Sequence, residues 1–104
     1  MKIGLFATFM SPISTPAMIQ SFAQSIEEIG VDSLWMGEHV VLFDQTSKPY
    51  PGSRDGKLPV PEGGGMLDTV ATFGLIAGCT RRIRLGTGIT LLPQRNPVYT
   101  AKEF

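Results

Sequence analysis

The chain has 104 residues, of which 42% are hydrophobic and 17% are charged, a composition typical of a soluble globular domain and unlike that of a disordered segment. Nine Lys and Arg residues balance nine Asp and Glu residues, which argues against nucleic acid or anionic lipid as the partner and favours a small molecule. The single cysteine, Cys79, cannot form an internal disulfide, and the first apolar run is too short to span a bilayer. These features predict a cytoplasmic protein.

The first part of the chain is predicted to form a strand, a helix and a second strand. Residues 2–9, KIGLFATF, form a mostly apolar run, which is typical of a parallel strand covered on both faces. Thr15 is a helix cap with Pro16 at the first helical position, and Gly30 ends this helix. Residues 31–37, VDSLWMG, give the second strand. Apolar side chains at three- and four-residue spacing predict the buried face of the helix: Ile19, Phe22, Ala23, Ile26 and Ile29.

The second part of the chain repeats this order. Asp68 is predicted to cap a second helix that runs to about Thr80. Residues 83–91, IRLGTGITL, form the third strand, and the Asn-Pro pair at 96–97 opens a third helix. The sequence stops at Phe104, barely two turns later, which predicts a truncated product. The side chains expected to point inward from the second helix are Val70, Phe73 and Ala77.

Strands and helices in alternation predict an α/β fold with parallel β-α-β crossovers. Two architectures remain open on this pattern, a barrel and an open doubly wound sheet. A long loop over residues 41–67, rich in proline and glycine, leaves the carboxyl end of the second strand. Active sites gather at this edge in both architectures, so the loop is predicted to lie on the active-site side, either as a functional lid or as a disordered segment.

The second strand runs directly into Glu38 and His39, and His39 is the only histidine of the chain. An imidazole titrates near neutral pH, so His39 is a candidate to exchange a proton or to bind a cofactor. The alternative is a histidine that a backbone carbonyl satisfies at a strand end. Glu38 has three open interpretations: it orients His39, contacts a cofactor, or is solvated.

Two glycines, Gly86 and Gly88, interrupt the third strand. Glycine weakens a strand and usually marks a bulge or a close approach of the backbone to a ligand. A dinucleotide-binding fingerprint is a poor match, because it requires a glycine turn that opens a helix and a third glycine. A bulge with and without a ligand both remain open.

Several stretches together resemble the amino-terminal part of the bacterial luciferase-like oxidoreductases: MKIGLFATF, VDSLWMGEH, PYPG and TRRIRLGTGITLLPQRNP. The closest subgroup is that of the deazaflavin (coenzyme F-420)-dependent enzymes. The resemblance implies a (β/α)8 TIM barrel, of which residues 1–104 supply the first three β/α units. It also implies a homodimer with a flavin or deazaflavin bound at the carboxyl ends of the strands. Because three strands cannot close a barrel, exposed strand edges would favour self-association.

The resemblance also assigns candidate residues. His39 matches a histidine beside the reactive ring that donates or accepts a proton, and Glu38 matches an acidic neighbour at the cofactor. Ala7, at the end of the first strand, would line the pocket. Arg95 is a weaker candidate for a contact with the cofactor tail. The loop residues Asp44, Lys48, Arg54 and Lys57 receive no assigned role.

Thr87, Gly88 and Ile89 match a bulge in the third strand. In the family this bulge contains a non-proline cis peptide, by correspondence Gly88–Ile89, which presses on the middle ring of the cofactor. The implied reaction is hydride transfer between coenzyme F-420 and a small organic substrate. Two alternatives stay open: an FMN-dependent monooxygenase, and an inactive truncated segment with a structural or interaction role only.

Overall fold

The computed structural model describes residues 1–43 and 47–104; residues 44–46 of the long loop, including Asp44, lie outside the described residues. The elements follow one another as β1 (Gly4–Phe6), β2 (Met10–Ser11), α1 (Pro16–Glu28), β3 (Ser33–Met36), β4 (Gly65–Met66), α2 (Thr69–Cys79), β5 (Arg84–Thr87), a 3-10 turn (Leu92–Gln94) and α3 (Pro97–Glu103).

The central feature is a parallel three-stranded sheet in the order β1-β3-β5. In its register, Phe6 lies beside Trp35 and Trp35 beside Gly86. Each pair of adjacent strands is joined in sequence through a helix, so the predicted parallel β-α-β arrangement is confirmed. Within residues 1–43 and 47–104 the sheet is open, with β1 and β5 as its edges, and no closed barrel is present.

A second, two-stranded sheet pairs β2 with β4 in antiparallel orientation, Met10 beside Met66 and Ser11 beside Gly65. This pairing ties the end of the long loop to the segment after β1. The sequence analysis did not predict it, because two-residue strands carry no periodicity. Gly64 is required beside it, since a Cβ at this position would lie 2.3 Å from the carbonyl oxygen of Ser11.

Helix α1 begins and ends where the sequence predicts. The Thr15 hydroxyl accepts a hydrogen bond from the N–H of Met18, Pro16 occupies the first helical position, and Gly30 follows the helix with a positive φ of 86°. The buried face carries Ile19, Ala23 and Ile26, and Phe22 packs partly buried beside it. The prediction for Ile29 was wrong: it caps the helix and is 80% exposed.

Helix α2 has the predicted cap, with the carboxylate of Asp68 accepting from the N–H of Ala71 at 2.8 Å. Of its predicted inward face, Phe73 packs partly buried against the core, whereas the prediction for Ala77 was wrong. The buried side chains are those of Thr69, Thr72 and Ile76, whereas Val70 and Phe73 are half-buried and Ala77 is exposed. Apolar residues surround this helix on nearly every side, so spacing alone does not identify the buried face.

The core lies on one face of the sheet, between the strands and helices α1 and α2. Leu34 and Met36 of β3 are fully buried there, against Ile19 and Ala23 of α1 and Ile76 of α2. Truncating a buried leucine such as Leu34 to alanine typically costs about 2–5 kcal/mol. Packing on this face therefore fixes the position of β3 relative to both helices.

The other face of the sheet is open and combines aromatic rings with glycines. Trp35 and Phe6 are 42% and 59% exposed on this face. A Cβ at Gly86 would lie 2.7 Å from the Trp35 ring, and a Cβ at Gly88 would lie 2.5 Å from the Phe6 ring. Gly86 in β5 and Gly88 just after it therefore allow close approach of aromatic side chains from the other two strands, β3 and β1.

Glu27, near the end of α1, holds the turn between α2 and β5. Its carboxylate accepts hydrogen bonds from the backbone N–H groups of three successive residues, Arg81, Arg82 and Ile83. These bonds, with that from Arg82 the strongest cause, hold the pKa of Glu27 below its ordinary value. One partly exposed side chain thus connects α1 to the turn that follows α2.

Glu27→Gln is expected to lower the unfolding midpoint at pH 7, because an amide offers one acceptor oxygen in place of a charged pair. Since the folded-state pKa of Glu27 is depressed, its contribution is present above the unfolded-state pKa and is lost as pH falls through the folded-state value. The midpoint difference should therefore vanish well below about pH 4.3, the ordinary pKa of glutamate. Thermal melts followed by Trp35 fluorescence measure it.

Glu28→Gln is the matched control. It removes the same charge from the exposed neighbouring residue, whose carboxylate has no hydrogen bond among the described residues. Equal midpoints for the two variants at pH 7 would show that the carboxylate of Glu27 contributes nothing to stability.

Candidate functional site

A cavity of about 450 Å³ opens at the carboxyl ends of the parallel strands. Phe6 and Thr8 enter it from the end of β1, Gly37 and His39 from the end of β3, and Gly88 from the end of β5. Its volume lies in the range of small-molecule sites, which is about 300–1,000 Å³. The carboxyl edge of the sheet thus provides a concave site, as both architectures considered from the sequence require.

The walls of the cavity are mainly apolar, and the long loop supplies much of them. The loop side chains that line the cavity are Leu42, Tyr50, Leu58, Pro59, Val60 and Met66. Met10 and Ile89 complete the apolar lining. Because these loop residues cover one side, they limit the access of water to any flat ligand bound against the strand ends.

His39 lines this cavity and is an exposed residue. Among the described residues, no hydrogen bond or ion pair of its imidazole is found, in contrast to the alternative of a histidine satisfied by a backbone carbonyl. Both ring nitrogens are therefore available to a ligand. A neutral imidazole has one hydrogen-bond donor and one acceptor, so it can either give or take a proton.

Glu38, the residue before His39, is held on both carboxylate oxygens. Oε1 accepts hydrogen bonds from Nε (3.0 Å) and Nη2 of Arg95, and Oε2 accepts from the N–H of Leu91 at 2.7 Å. The side chain of Glu38 is 9% exposed. The hydrogen bond from Arg95, followed by that from Leu91, holds the pKa of Glu38 below its ordinary value. Glu38 is therefore a fixed anion at the rim of the cavity.

Arg95 lies among three carboxylates and is only 17% exposed. Besides Glu38, its Nη1 donates to Glu103 at 2.9 Å, and Nη2 lies 4.0 Å from Asp68. The hydrogen bond to Glu38 is the main cause of a raised pKa of Arg95. From the sequence, Arg95 was a candidate to contact the tail of the cofactor. In the structure its guanidinium donates hydrogen bonds to Glu38 instead. No local pattern links the two residues, which are 57 positions apart.

Gly88 and Ile89, two of the residues expected at the cofactor, both line the cavity, but the predicted cis peptide between them was wrong. Among the described residues the only cis bond is Ser11–Pro12. The N–H of Gly88 donates to the carbonyl of Met36 at 2.6 Å and so continues the ladder between β3 and β5. The physical reason for a glycine here is the ring of Phe6, which occupies the space of a Cβ.

Thr87 and Ala7 do not line this cavity. The Thr87 hydroxyl accepts a hydrogen bond from Thr90 at 2.8 Å, and its residue borders a separate cavity of about 360 Å³ beside α2. Ala7 is partly buried and packs against the core. Its neighbours Phe6 and Thr8 enter the site in its place, because alternate residues of a strand point to opposite faces.

The family model of the luciferase-like monooxygenases matches residues 1–104, the full length of the chain. The chain belongs to this family. Its members are typically oxidoreductases that bind flavin-type cofactors, and their fold is the TIM barrel. The three parallel strands with their helices are consistent with part of that fold. Comparison with curated proteins and with solved structures gave no match.

The lining of the cavity fits the ring system of a flavin-type cofactor. Apolar side chains provide flat contact surfaces, among them the ring of Phe6, which packs over Gly88. No Lys or Arg is among the described residues that line it, so the chain offers no cationic contact there for a phosphate tail. No helix within residues 1–43 and 47–104 has the length and apolar character needed to cross a membrane.

Gly88→Ala is expected to destabilise the fold by about 1–3 kcal/mol, since its Cβ would lie 2.5 Å from the Phe6 ring and would force that ring to move. Chemical denaturation followed by Trp35 fluorescence measures the change. Combining Gly88→Ala with Phe6→Leu should cost less than the sum of the two single changes, because the smaller side chain relieves the overlap.

Gly74→Ala is the matched control. No atom lies within 4 Å of a Cβ built at this exposed helical position, and alanine should stabilise the helix by about 0.5–1 kcal/mol. Equal effects of the alanines at positions 74 and 88 would contradict the close packing of Gly88 against Phe6.

Proposed function

We propose that the cavity at the strand ends binds the ring system of coenzyme F-420 and that His39 exchanges the proton that accompanies hydride transfer with a small organic substrate. The observation that carries this proposal is the placement of the only histidine in an apolar cavity, with an imidazole that has no partner among the described residues. The family, whose members bind flavin-type cofactors, supports the choice of ligand.

The residues divide the work between binding and proton exchange. Phe6, Met10 and Ile89 form apolar surfaces against which a tricyclic ring packs. Leu58 and Val60 of the loop exclude water from that side. When bound, the deazaflavin supplies the carbon that gains or loses hydride. His39 accepts the hydroxyl proton of an alcohol substrate, or returns it to a carbonyl oxygen in the reverse direction.

The lining also indicates the class of substrate. Its acidic member, Glu38, is neutralised by Arg95, and no cationic side chain is among the described lining residues. A phosphorylated or carboxylated substrate would therefore meet no opposite charge within this lining, whereas an uncharged alcohol or ketone would meet apolar walls and one imidazole. We infer that the substrate is uncharged near its reacting carbon.

FMN is the second candidate cofactor, and the family name favours it, because monooxygenases use reduced flavin to activate oxygen. The same apolar walls and the same imidazole would serve it. The two cofactors share a tricyclic ring and differ in the central ring atom, in the ring substituents and in the tail, so the distinction rests on direct binding.

Fluorescence titration with coenzyme F-420 and with FMN is expected to show tighter binding of the deazaflavin. His39→Asn should retain this binding within about tenfold, because the apolar walls remain, and should lower the turnover of small secondary alcohols with coenzyme F-420 by about 100-fold or more. Turnover is followed by the loss of absorbance of the oxidised deazaflavin.

Each outcome separates the candidates. Tighter binding of FMN, with oxygen consumption on reduction, would favour the monooxygenase. Absence of binding of both cofactors at millimolar concentration would identify an inactive segment and overturn the proposal. Equal turnover of His39→Asn and the unmodified protein would remove His39 from the chemistry while leaving cofactor binding intact.

A further inference from the structure

We propose that Arg95 is a positioning residue. By holding Glu38 it fixes the backbone that carries His39 and, through Leu91, the cavity wall formed by the residues that follow β5. The proposal concerns the same site as the proposed function and extends it to a residue outside the cavity lining. It assigns Glu38 to orientation of the site, in place of direct contact with the cofactor.

Arg95 is held by hydrogen bonds to two carboxylates. Nε and Nη2 both donate to Oε1 of Glu38, and Nη1 donates to Glu103 of α3. The guanidinium thus uses three of its nitrogens on two carboxylates and is 17% exposed. A planar fork engaged in this way has few other orientations, so its position defines that of Glu38.

Glu38 in turn holds the backbone at Leu91. Its Oε2 accepts from the N–H of Leu91, two residues after Ile89, which lines the cavity. Glu38 therefore connects the end of β3 to the segment that follows β5. The residue before it is also anchored, because the hydroxyl of Thr69 donates to the carbonyl oxygen of Gly37 at 3.0 Å.

The imidazole of His39 receives no hydrogen bond from any of the described residues. His39 has no hydrogen-bond partner of its own within residues 1–43 and 47–104, so its direction depends on the backbone at positions 37 and 38. That backbone is fixed by Thr69 from one side and by the Glu38–Arg95 pair from the other. Loss of Arg95 is therefore transmitted to His39 through a single peptide unit.

A second ion pair in the same sheet offers a matched control. Arg84 pairs with Asp32, which joins β5 to the start of β3 at the opposite end of the strands. Arg84→Gln and Arg95→Gln each remove one positive charge and the ion pair that joins one end of β3 to β5 or the segment after it; Arg95→Gln also releases Glu103 and Asp68. A role confined to stability predicts similar effects, whereas a positioning role predicts an effect at His39 from Arg95 only.

The composition of the chain supplies two site-specific probes. His39 is the only histidine, so the imidazole proton resonances in a nuclear magnetic resonance spectrum belong to it without assignment by mutation. Trp35 is the only tryptophan, and its fluorescence reports whether the sheet is folded. Neither probe requires a cofactor, so this experiment remains decisive even if the proposed function fails.

Arg95→Gln is expected to shift the imidazole resonances of His39 at pH 7, while Arg84→Gln leaves them where they are in the unmodified protein. Arg95→Lys keeps the charge but loses the two-pronged contact, so it should produce an intermediate shift and separate geometry from charge. With coenzyme F-420 and a secondary alcohol, Arg95→Gln should lower kcat about 100-fold, the cost of a displacement of roughly 1 Å, with a smaller change in KM.

Unchanged His39 resonances in Arg95→Gln, with Trp35 fluorescence showing a folded sheet, would overturn the proposal. Equal shifts from Arg84→Gln and Arg95→Gln would overturn it as well, since the effect would then be general. If both position-95 variants unfold while Arg84→Gln remains folded, Arg95 supports the fold instead of the site, and the positioning role is again rejected.

Discussion

Strand β3 pairs with a parallel strand on each side, and the alternation of its side chains divides the molecule into two faces. Leu34 and Met36 point to the helices and are fully buried, whereas Trp35 lies on the open face against Gly86. Beyond the strand end, the side chain of Glu38 is still only 9% exposed, whereas His39 is exposed and lines the cavity. Both the core and the candidate site therefore depend on the register of this one strand.

That register also explains why the site is polar at one place only. The residues on the open face are rings and glycines, which leave little room and no charge close to the strands. Charged groups are confined to the two ends of the sheet, with Asp32 and Arg84 at one end and Glu38 and Arg95 at the other. At the carboxyl end the charges neutralise each other and leave the imidazole of His39 free among apolar walls.

Much of the fold was predictable because its signals are local. Thr15, Asp68 and Asn96 each cap the helix that they precede, and the side chain of each accepts a backbone hydrogen bond in the first turn. The order of strands and helices likewise follows from short windows of sequence. The buried face of α2 was not predictable, because that helix is apolar around most of its circumference and its buried threonines resemble surface residues.

The site was predictable only in part. The position of His39 follows from its place after an apolar strand, whereas the glycines of the predicted third strand were expected to mark a bulge or a close approach to a ligand. What approaches Gly88 is the ring of Phe6, a contact between strands that are not adjacent in the sheet, and this replaces the cis peptide expected from the family resemblance. The pairing of Glu38 with Arg95 joins residues 57 positions apart, and no local pattern reveals it.

The aromatic rings that lie over the glycines have an evolutionary consequence. Position 88 can acquire a side chain only if position 6 gives up its ring, and the same exchange applies to positions 86 and 35, where Trp35 lies 2.7 Å from the site of a Cβ. Each pair is therefore expected to change together when related sequences are aligned: a larger residue at position 86 or 88 should accompany a smaller one at position 35 or 6.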